Sequence, residues 1–220
     1  MAFDSQPDLW TVIVLAGGRA SRLGGQDKAS LTIGGTPLLD RLLSSLPDVV
    51  PVVIAGPQRP TGRRVTFVRE WPIHGGPVAG IACALVAVKT PVTALLAVDM
   101  PWAGRLVRQL IAEFAACDAA ALVPVDAAGF RQPLCAVVRT KALHNALAGL
   151  GDSRARSMRD LMSLIDVKER PLSEAEMAWA ADIDTPGDLL RAQSKRSPLG
   201  WAHPYPPEGI TSSPNKEPVP

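Results

Sequence analysis

Residues 10–28 read WTVIVLAGGRASRLGGQDK, and the way this stretch divides decides the fold. Residues 10–15 are apolar and rich in β-branched side chains, which predicts a buried strand. The strand opens into a turn holding Gly17, Gly18, Gly24 and Gly25, with Arg19, Arg22 and Lys28 between and after them. Glycine lets backbone N–H groups approach a ligand closely. Successive N–H groups in such a turn form a concavity that attracts anions. Arginine adds a fork of donors for phosphate oxygens, and lysine adds a compact charge. The stretch reads as a phosphate cradle at the end of a strand. The plainer alternative is a glycine-rich surface loop with scattered basic residues.

Two common cradles do not fit. The P-loop needs G-x-x-x-x-G-K-[ST], but here Lys28 follows Gln26-Asp27 and precedes Ala29. The dinucleotide fingerprint G-x-G-x-x-G is also missing, because the two glycine pairs are separated by residues 19–23.

Outward from this stretch, further apolar strands are predicted at 49–55, 63–69, 92–98, 119–125 and 132–138, with short ones at 30–33 and 166–170. Helices are predicted at 37–47, 78–89, 106–116, 141–150, 156–165 and 185–192. For the first of them Thr36 is the expected N-cap and Pro37 the first helical residue. Gly34-Gly35 reads as a turn. Apolar strands without clean polar alternation, separated by helices, predict parallel strands covered on both faces. The fold class is therefore α/β, a doubly wound, mostly parallel sheet. Ligands of such sheets sit beyond the carboxyl ends of the strands, where the 15–28 loop and Asp99 both emerge. Residues 8–193 read as one domain. Residues 194–220 are rich in proline and serine and lose the periodic apolar pattern, which predicts a disordered tail with Trp201 and Tyr205 as isolated aromatics.

Composition bounds the function. The chain has 220 residues, 47% of them hydrophobic and 20% charged, enough for one well-buried domain. A formal net charge of +2 does not point to nucleic acid or an acidic membrane as partner. Cys83, Cys117 and Cys135 lie in apolar surroundings without metal-ligand spacing, and read as small core side chains in a reducing compartment. The first residues, MAFDSQPD, lack a basic and then apolar secretory pattern, and no run is long and apolar enough for a membrane span. A cytoplasmic protein is expected.

The run LAGG-x-x-S-R-x-G-x-x-DK, followed by Pro37-Leu38-Leu39, resembles the signature loop of the MobA-like nucleotidyltransferases, and among them the molybdenum cofactor guanylyltransferases. Gly76-Pro77-Val78-Ala79-Gly80, Asp99-Met100-Pro101 and Asp182-Ile183-Asp184-Thr185-Pro186 resemble later segments of that family in the same order. The resemblance covers about residues 10–193. It implies a fold like the nucleotide-diphospho-sugar transferases, with a Rossmann-like nucleotide-binding half. It also implies Mg²⁺-dependent transfer of GMP from GTP to molybdenum-bearing molybdopterin, with release of pyrophosphate. Molybdoenzymes or other cofactor-biosynthesis proteins are then possible partners. Transfer of CMP, transfer to another phosphorylated acceptor, and a nucleotide-binding accessory domain without turnover stay open as alternatives.

Site residues follow from the same resemblance. Leu15, Ala16, Gly17, Gly18 and Lys28 would bind the nucleotide, and Lys28 and Arg22 would steady charge on its phosphates. Asp99 would be the first metal ligand and Asp184 the second; on local grounds Asp99 also reads as a cap of the helix after it, and Asp184 or Thr185 as the start of the last helix, with Asp188 in its first turn. Gly76, Pro77 and Gly80 would line the base pocket, while His74 beside them has no fixed partner to make it a catalytic base. Gln132 and Asp184 would face the acceptor, although plain strand packing also accounts for Gln132. Two positions depart from the family pattern. Glu70-Trp71-Pro72 stands where relatives often place an aspartate that helps recognise guanine, so either Glu70 substitutes for it or the role is lost. Ile54-Ala55-Gly56 stands where relatives can place an asparagine. LAGG and GPVAG resemble the guanylyl more than the cytidylyl branch.

Overall fold

A computed structural model describes residues 9–17, 19–20, 26–71, 73 and 75–194 of the chain. Arg22, Gly18, His74 and the tail from residue 195 onward lie outside the described residues.

The first strand, β1 (Trp10–Leu15), has the predicted bounds. Two short antiparallel pairs follow: β2 (Arg19–Ala20) with β3 (Gln26–Asp27), and β4 (Thr32–Ile33) with β5 (Thr36–Pro37). Gly34 and Gly35 connect β4 to β5 with φ of 58° and 80°, the left-handed turn that only glycine takes without strain. The helix α1 (Leu38–Ser44) then begins one residue later than predicted. Pro37, not Thr36, is its N-cap, because Thr36 and Pro37 are already used in the pair with β4.

The order continues as β6 (Val52–Ala55), β7 (Thr66–Val68), α2 (Pro77–Leu85), β8 (Val92–Ala97), α3 (Ala103–Phe114), β9 (Ala121–Val125) and β10 (Cys135–Arg139). Next come α4 (Thr140–Leu150), α5 (Met158–Met162), β11 (Val167–Pro171), α6 (Glu174–Trp179) and α7 (Pro186–Ser194). Among the described residues the large sheet has seven strands in the order β11-β9-β10-β8-β1-β6-β7. β1 lies parallel between β6 and β8, in register Val14 with Ile54 and with Leu96.

The sheet is mostly parallel, as predicted, but one strand is reversed. β10 runs antiparallel to both β8 and β9. Residues 126–134 between β9 and β10 are too few to carry a crossover helix, which a parallel return requires. Asp126 closes the turn instead, accepting from the backbone N–H groups of Ala128 and Phe130, each at 2.9 Å.

Alternate residues of each strand serve opposite faces. Val12, Val14, Ile54, Leu96 and Val137 pack with Leu39, Leu42, Leu106 and Leu110 of α1 and α3. Ile13, Val53, Leu95, Ala136 and Val138 pack with Ile81, Leu85, Leu143 and Leu161 of α2, α4 and α5. This two-faced burial explains the unalternating apolar strands, since each buried Leu, Ile or Val contributes about 1.5–3 kcal/mol. Gly104 permits the approach of α1 to α3: a β-carbon there would fall 2.0 Å from Ser45 Oγ. The three cysteines are free; Cys117 and Cys135 are buried in the core as predicted, and Cys83 is half-buried. Burial pushes the Cys135 thiol up to about 12, so it stays protonated.

The helix α6 was not predicted, although its capping box was present in the sequence. Ser173 Oγ accepts from the Glu176 N–H, and the Glu176 carboxylate accepts from the Ser173 N–H at 2.8 Å. Among the described residues no helix is long and apolar enough to cross a membrane.

Candidate active site

The parallel strands release their chains at one edge, and backbone bonds tie the releases together. The Ala16 N–H donates to the Ala55 carbonyl at 2.9 Å, and the Val98 N–H donates to the Leu15 carbonyl at 3.1 Å. The Gly56 N–H donates to the Val68 carbonyl at 2.9 Å. Gly56 lies so close to the chain leaving β1 that a β-carbon would fall 2.9 Å from the Ala16 backbone. Ala16 itself is buried beneath Gly17 and does not line the cavity that opens over this edge.

A cavity of about 480 Å³ opens over this edge, within the range of small-molecule sites. Its walls are largely apolar: Leu15, Ala55, Pro77, Ala97, Val98 and Leu134. Gly17, Gly76 and Gly80 give it backbone surface, and Lys28, Glu70 and Asp99 give it charge. Eight residues expected to bind a nucleotide therefore converge here from five separate segments of the chain: Leu15, Gly17, Lys28, Glu70, Gly76, Pro77, Gly80 and Asp99. Gly76 takes φ of 91° at the N-cap of α2, a conformation glycine alone adopts freely. Glu70 leans over the floor: its carboxylate oxygens lie 3.6 and 3.7 Å from where side chains would start at Gly17 and Gly80. A β-carbon at either position would only touch that carboxylate, but at Gly80 it would also fall 3.0 Å from Leu15 Cδ2, which ties that glycine to the floor of the cavity.

Lys28 is the centre of the charge. Its Nζ donates to Asp99 Oδ2 at 2.7 Å and also to Asp184 Oδ1. Asp184 is brought there by two devices. The Ile183 N–H donates to the Asp99 carbonyl at 2.9 Å, so the chain beside Asp184 is fastened to the chain at Asp99. Asp188 Oδ2 accepts from the N–H groups of Asp184 and Thr185 at 3.2 and 2.7 Å, closing the first turn of α7. Leu31, Ile33, Leu38, Ile183 and Ala192 pack together beneath this arrangement. Thr185 Oγ1 in turn accepts from the Asp188 N–H at 3.2 Å, so Thr185 caps α7 in a reciprocal pair with Asp188, and the Asp184 carboxylate is left for the site.

Burial depresses the Lys28 ammonium, but its bonds to Asp184 and Asp99 outweigh burial and leave it above its ordinary value. The lysine is charged at every physiological pH. Burial, with the charges of Asp184 and Asp99, raises the carboxyl of Asp182 above its ordinary value, even though the residue as a whole is exposed. Two carboxylates converging on one cation is a donor set that suits Mg²⁺, which takes few protein oxygens and completes its shell from water and phosphate. Among the described residues no cluster of three or more His, Cys, Asp or Glu side chains is gathered around one point.

Gln132 is placed elsewhere. With Asp126, Leu172, Met177 and Asp182 it lines a second cavity of about 210 Å³, and its Nε2 donates to Asp126 Oδ2 at 3.2 Å. Sequence reasoning missed Ala55, Ala97, Val98 and Leu134 as walls of the main cavity. The signal was available, since each lies at or beside the edge of a predicted strand. It also missed Arg59, whose Nη1 pairs with the Asp27 carboxylate beside Lys28. No pattern in a loop of unknown course marks such a contact.

Residues 12–169 match the family described as the MobA-like NTP transferase domain. A probable molybdenum cofactor guanylyltransferase of Natronomonas pharaonis is 30% identical over 201 residues, covering 85% of this chain and 98% of that protein. Among solved structures, molybdopterin-guanine dinucleotide biosynthesis protein A of Archaeoglobus fulgidus superposes with a TM-score of 0.66 at 23% identity, over 84% of this chain and 97% of that one. The 2-C-methyl-D-erythritol 4-phosphate cytidylyltransferase of Thermus thermophilus superposes with a TM-score of 0.59 at 22% identity, over 84% and 97%. These two structures share the nucleotide-diphospho-sugar transferase fold with this chain.

Proposed function

The chain belongs to the MobA-like NTP transferase family and is a nucleotidyltransferase, and on that premise we propose that it moves GMP from GTP to molybdenum-loaded molybdopterin. An oxygen of the acceptor's terminal phosphate forms a bond to the α-phosphorus of GTP. The bond from that phosphorus to the bridging oxygen of the β-phosphate breaks, and pyrophosphate leaves with the electron pair. The observation that carries this reading is Lys28 held by Asp99 and Asp184 at a cavity whose remaining charged wall is Glu70.

The chemistry asks for position and charge rather than a covalent intermediate. Glycine backbone at 17 and 76 gives the phosphates and base close approach. Lys28 turns its charge to the phosphate oxygens and stabilises the negative charge that builds there in the transition state. Asp99 and Asp184 are the residues that would hold Mg²⁺, which when bound neutralises phosphate charge and orients the leaving group. Gln132 and Asp184 are assigned to the acceptor side.

Glu70 supports guanine over the other bases. Guanine presents two adjacent donors on one edge, the ring N–H and the amino group, and a carboxylate accepts both at once. Cytosine and adenine place an amino group beside an acceptor, and uracil places one N–H between two acceptors. Such bases would leave a carboxylate oxygen unmatched or facing another acceptor, which is the strongest form of discrimination a pocket can offer.

The test is pyrophosphate release from GTP, CTP, ATP and UTP, each with Mg²⁺ and molybdenum-loaded molybdopterin. Release with GTP alone, lost in Asp99→Ala, is the expected result. Release with CTP alone would move the protein to cytidylyl transfer, and silence with all four would remove this acceptor.

A further inference from the structure

Lys28 is the first residue of a single 3-10 turn, Lys28–Ser30, and its long side chain must be aimed from that turn. The residue before it, Asp27, is bound from three directions. Its Oδ1 accepts from the Ala29 N–H at 3.3 Å, and its Oδ2 accepts from Ser30 Oγ at 2.8 Å. The third partner comes from a distant loop: Arg59, between β6 and β7, pairs through Nη1 with Asp27 Oδ2. The same Nη1 lies 3.1 Å from Ser30 Oγ. Arg59 is itself anchored, its Nε donating to the Pro57 carbonyl at 3.3 Å, and its side chain is only 16% exposed.

This arrangement fastens the turn that bears Lys28 to the loop leaving the neighbouring strand. Without the guanidinium, the Asp27 carboxylate keeps only its local bonds to Ala29 and Ser30. A lysine side chain gives up rotamer entropy when it is fixed in one direction, so a steady base bears directly on how often Nζ points at its target.

We propose that Arg59 is a positioning residue for Lys28. It acts through Asp27, fixing the 3-10 turn so that the ammonium is delivered to the Asp99–Asp184 end of the cavity, and it does not itself bind the nucleotide. The part of this that concerns rate rests on the phosphate role given to Lys28 above; the part that concerns geometry does not.

Two measurements separate these parts. Trace labelling of amines, read by peptide mass spectrometry on the ligand-free protein, reports how well Lys28 is held. In Arg59→Met, Lys28 should label about three- to tenfold faster, the range for the net loss of one hydrogen bond, while exposed Lys89 and Lys141 stay unchanged. Arg59→Lys keeps the charge and should restore most of the protection. Unchanged labelling of Lys28 in Arg59→Met would overturn the proposal whether or not the protein turns over GTP. In the kinetic arm, Arg59→Met should lower kcat about tenfold with KM for GTP little changed, and add nothing further in a Lys28→Ala background. Full additivity with Lys28→Ala would mean that Arg59 meets the phosphates itself, and would also overturn the proposal. A wild-type protein inactive with every nucleotide would remove only the proposed function, and the labelling result would still decide the role of Arg59.

Discussion

Among the described residues, two clusters hold one cation between two carboxylates. Lys28 lies between Asp99 and Asp184, and Arg170 lies between Glu113 and Glu176. The difference lies in what surrounds them. Arg170 sits on an outer strand, β11, and its fork is filled: Nη2 donates to Glu113 Oε1 at 2.8 Å and to Glu176 Oε1 at 2.7 Å. Glu176 is further committed to Ser173, capping α6. The cluster joins α3, β11 and α6, and none of its members lines a described cavity. Lys28, by contrast, is a compact charge on a flexible stem, its carboxylates come from two separate loops, and a 480 Å³ cavity lies beside it. A charge cluster with saturated bonds is a clamp. A cluster beside open space, built on the one basic side chain that exchanges partners easily, is a site.

The sharpest way to break this comparison is to remove each cation. Lys28→Ala should cost about 10²–10³ in the rate of pyrophosphate release, the effect of losing one group that stabilises transition-state charge. Its thermal stability should fall less than that of Arg170→Met, because Asp99 lines an open cavity where water can replace the lysine's bond, whereas Glu176 is mostly buried. Thermal unfolding alongside the rate assay checks both halves; a large loss of stability with unchanged rate would make Lys28 a clamp like Arg170. A smaller effect is expected at Glu70. Glu70→Gln replaces an acceptor pair with one acceptor and one donor, so preference for GTP over the other nucleotides should fall about ten- to a hundredfold, read as the ratio of kcat/KM values. If the ratio holds, Glu70 does not read the base.

What the sequence disclosed follows the same division between local and distant causes. β1 was legible to the residue because its apolar run is buried on both faces, and the Gly34-Gly35 turn because two positive φ angles leave little choice but glycine. The reversed β10 was less legible. The apolar run at 132–138 has the same composition whichever way it points, and only the shortness of the link from β9 carries the direction. Within the site, Lys28 and Asp99 were readable from motifs, and the structure joins them directly. The start of α7 was legible too: of Asp184 and Thr185, Thr185 is the cap, its Oγ1 accepting from the Asp188 N–H while the Asp188 carboxylate accepts from the Thr185 N–H. The Asp27–Arg59 bond was invisible, because its two ends are local to different loops and meet only when β1 and β6 have paired.

Arg170→Met should affect stability and leave the rate within about twofold. Breaking a partly exposed network with two carboxylates left facing each other is expected to cost about 1–3 kcal/mol, measured by denaturant unfolding. The conservative change Glu176→Gln should cost less, and its signature is in pH. The Arg170 guanidinium holds the Glu176 carboxyl at about 2, against an ordinary value of 4.5. A carboxyl depressed by folding binds its proton more weakly in the native than in the unfolded chain. Its contribution is therefore complete above about pH 5 and is lost as pH falls from there toward 2. Wild type and Glu176→Gln should thus differ most in stability near neutral pH and converge on acidification. A gap that stays constant from pH 7 to pH 3 would mean that the amide disturbs packing or the capping of α6, and that charge on Glu176 contributes little to the clamp.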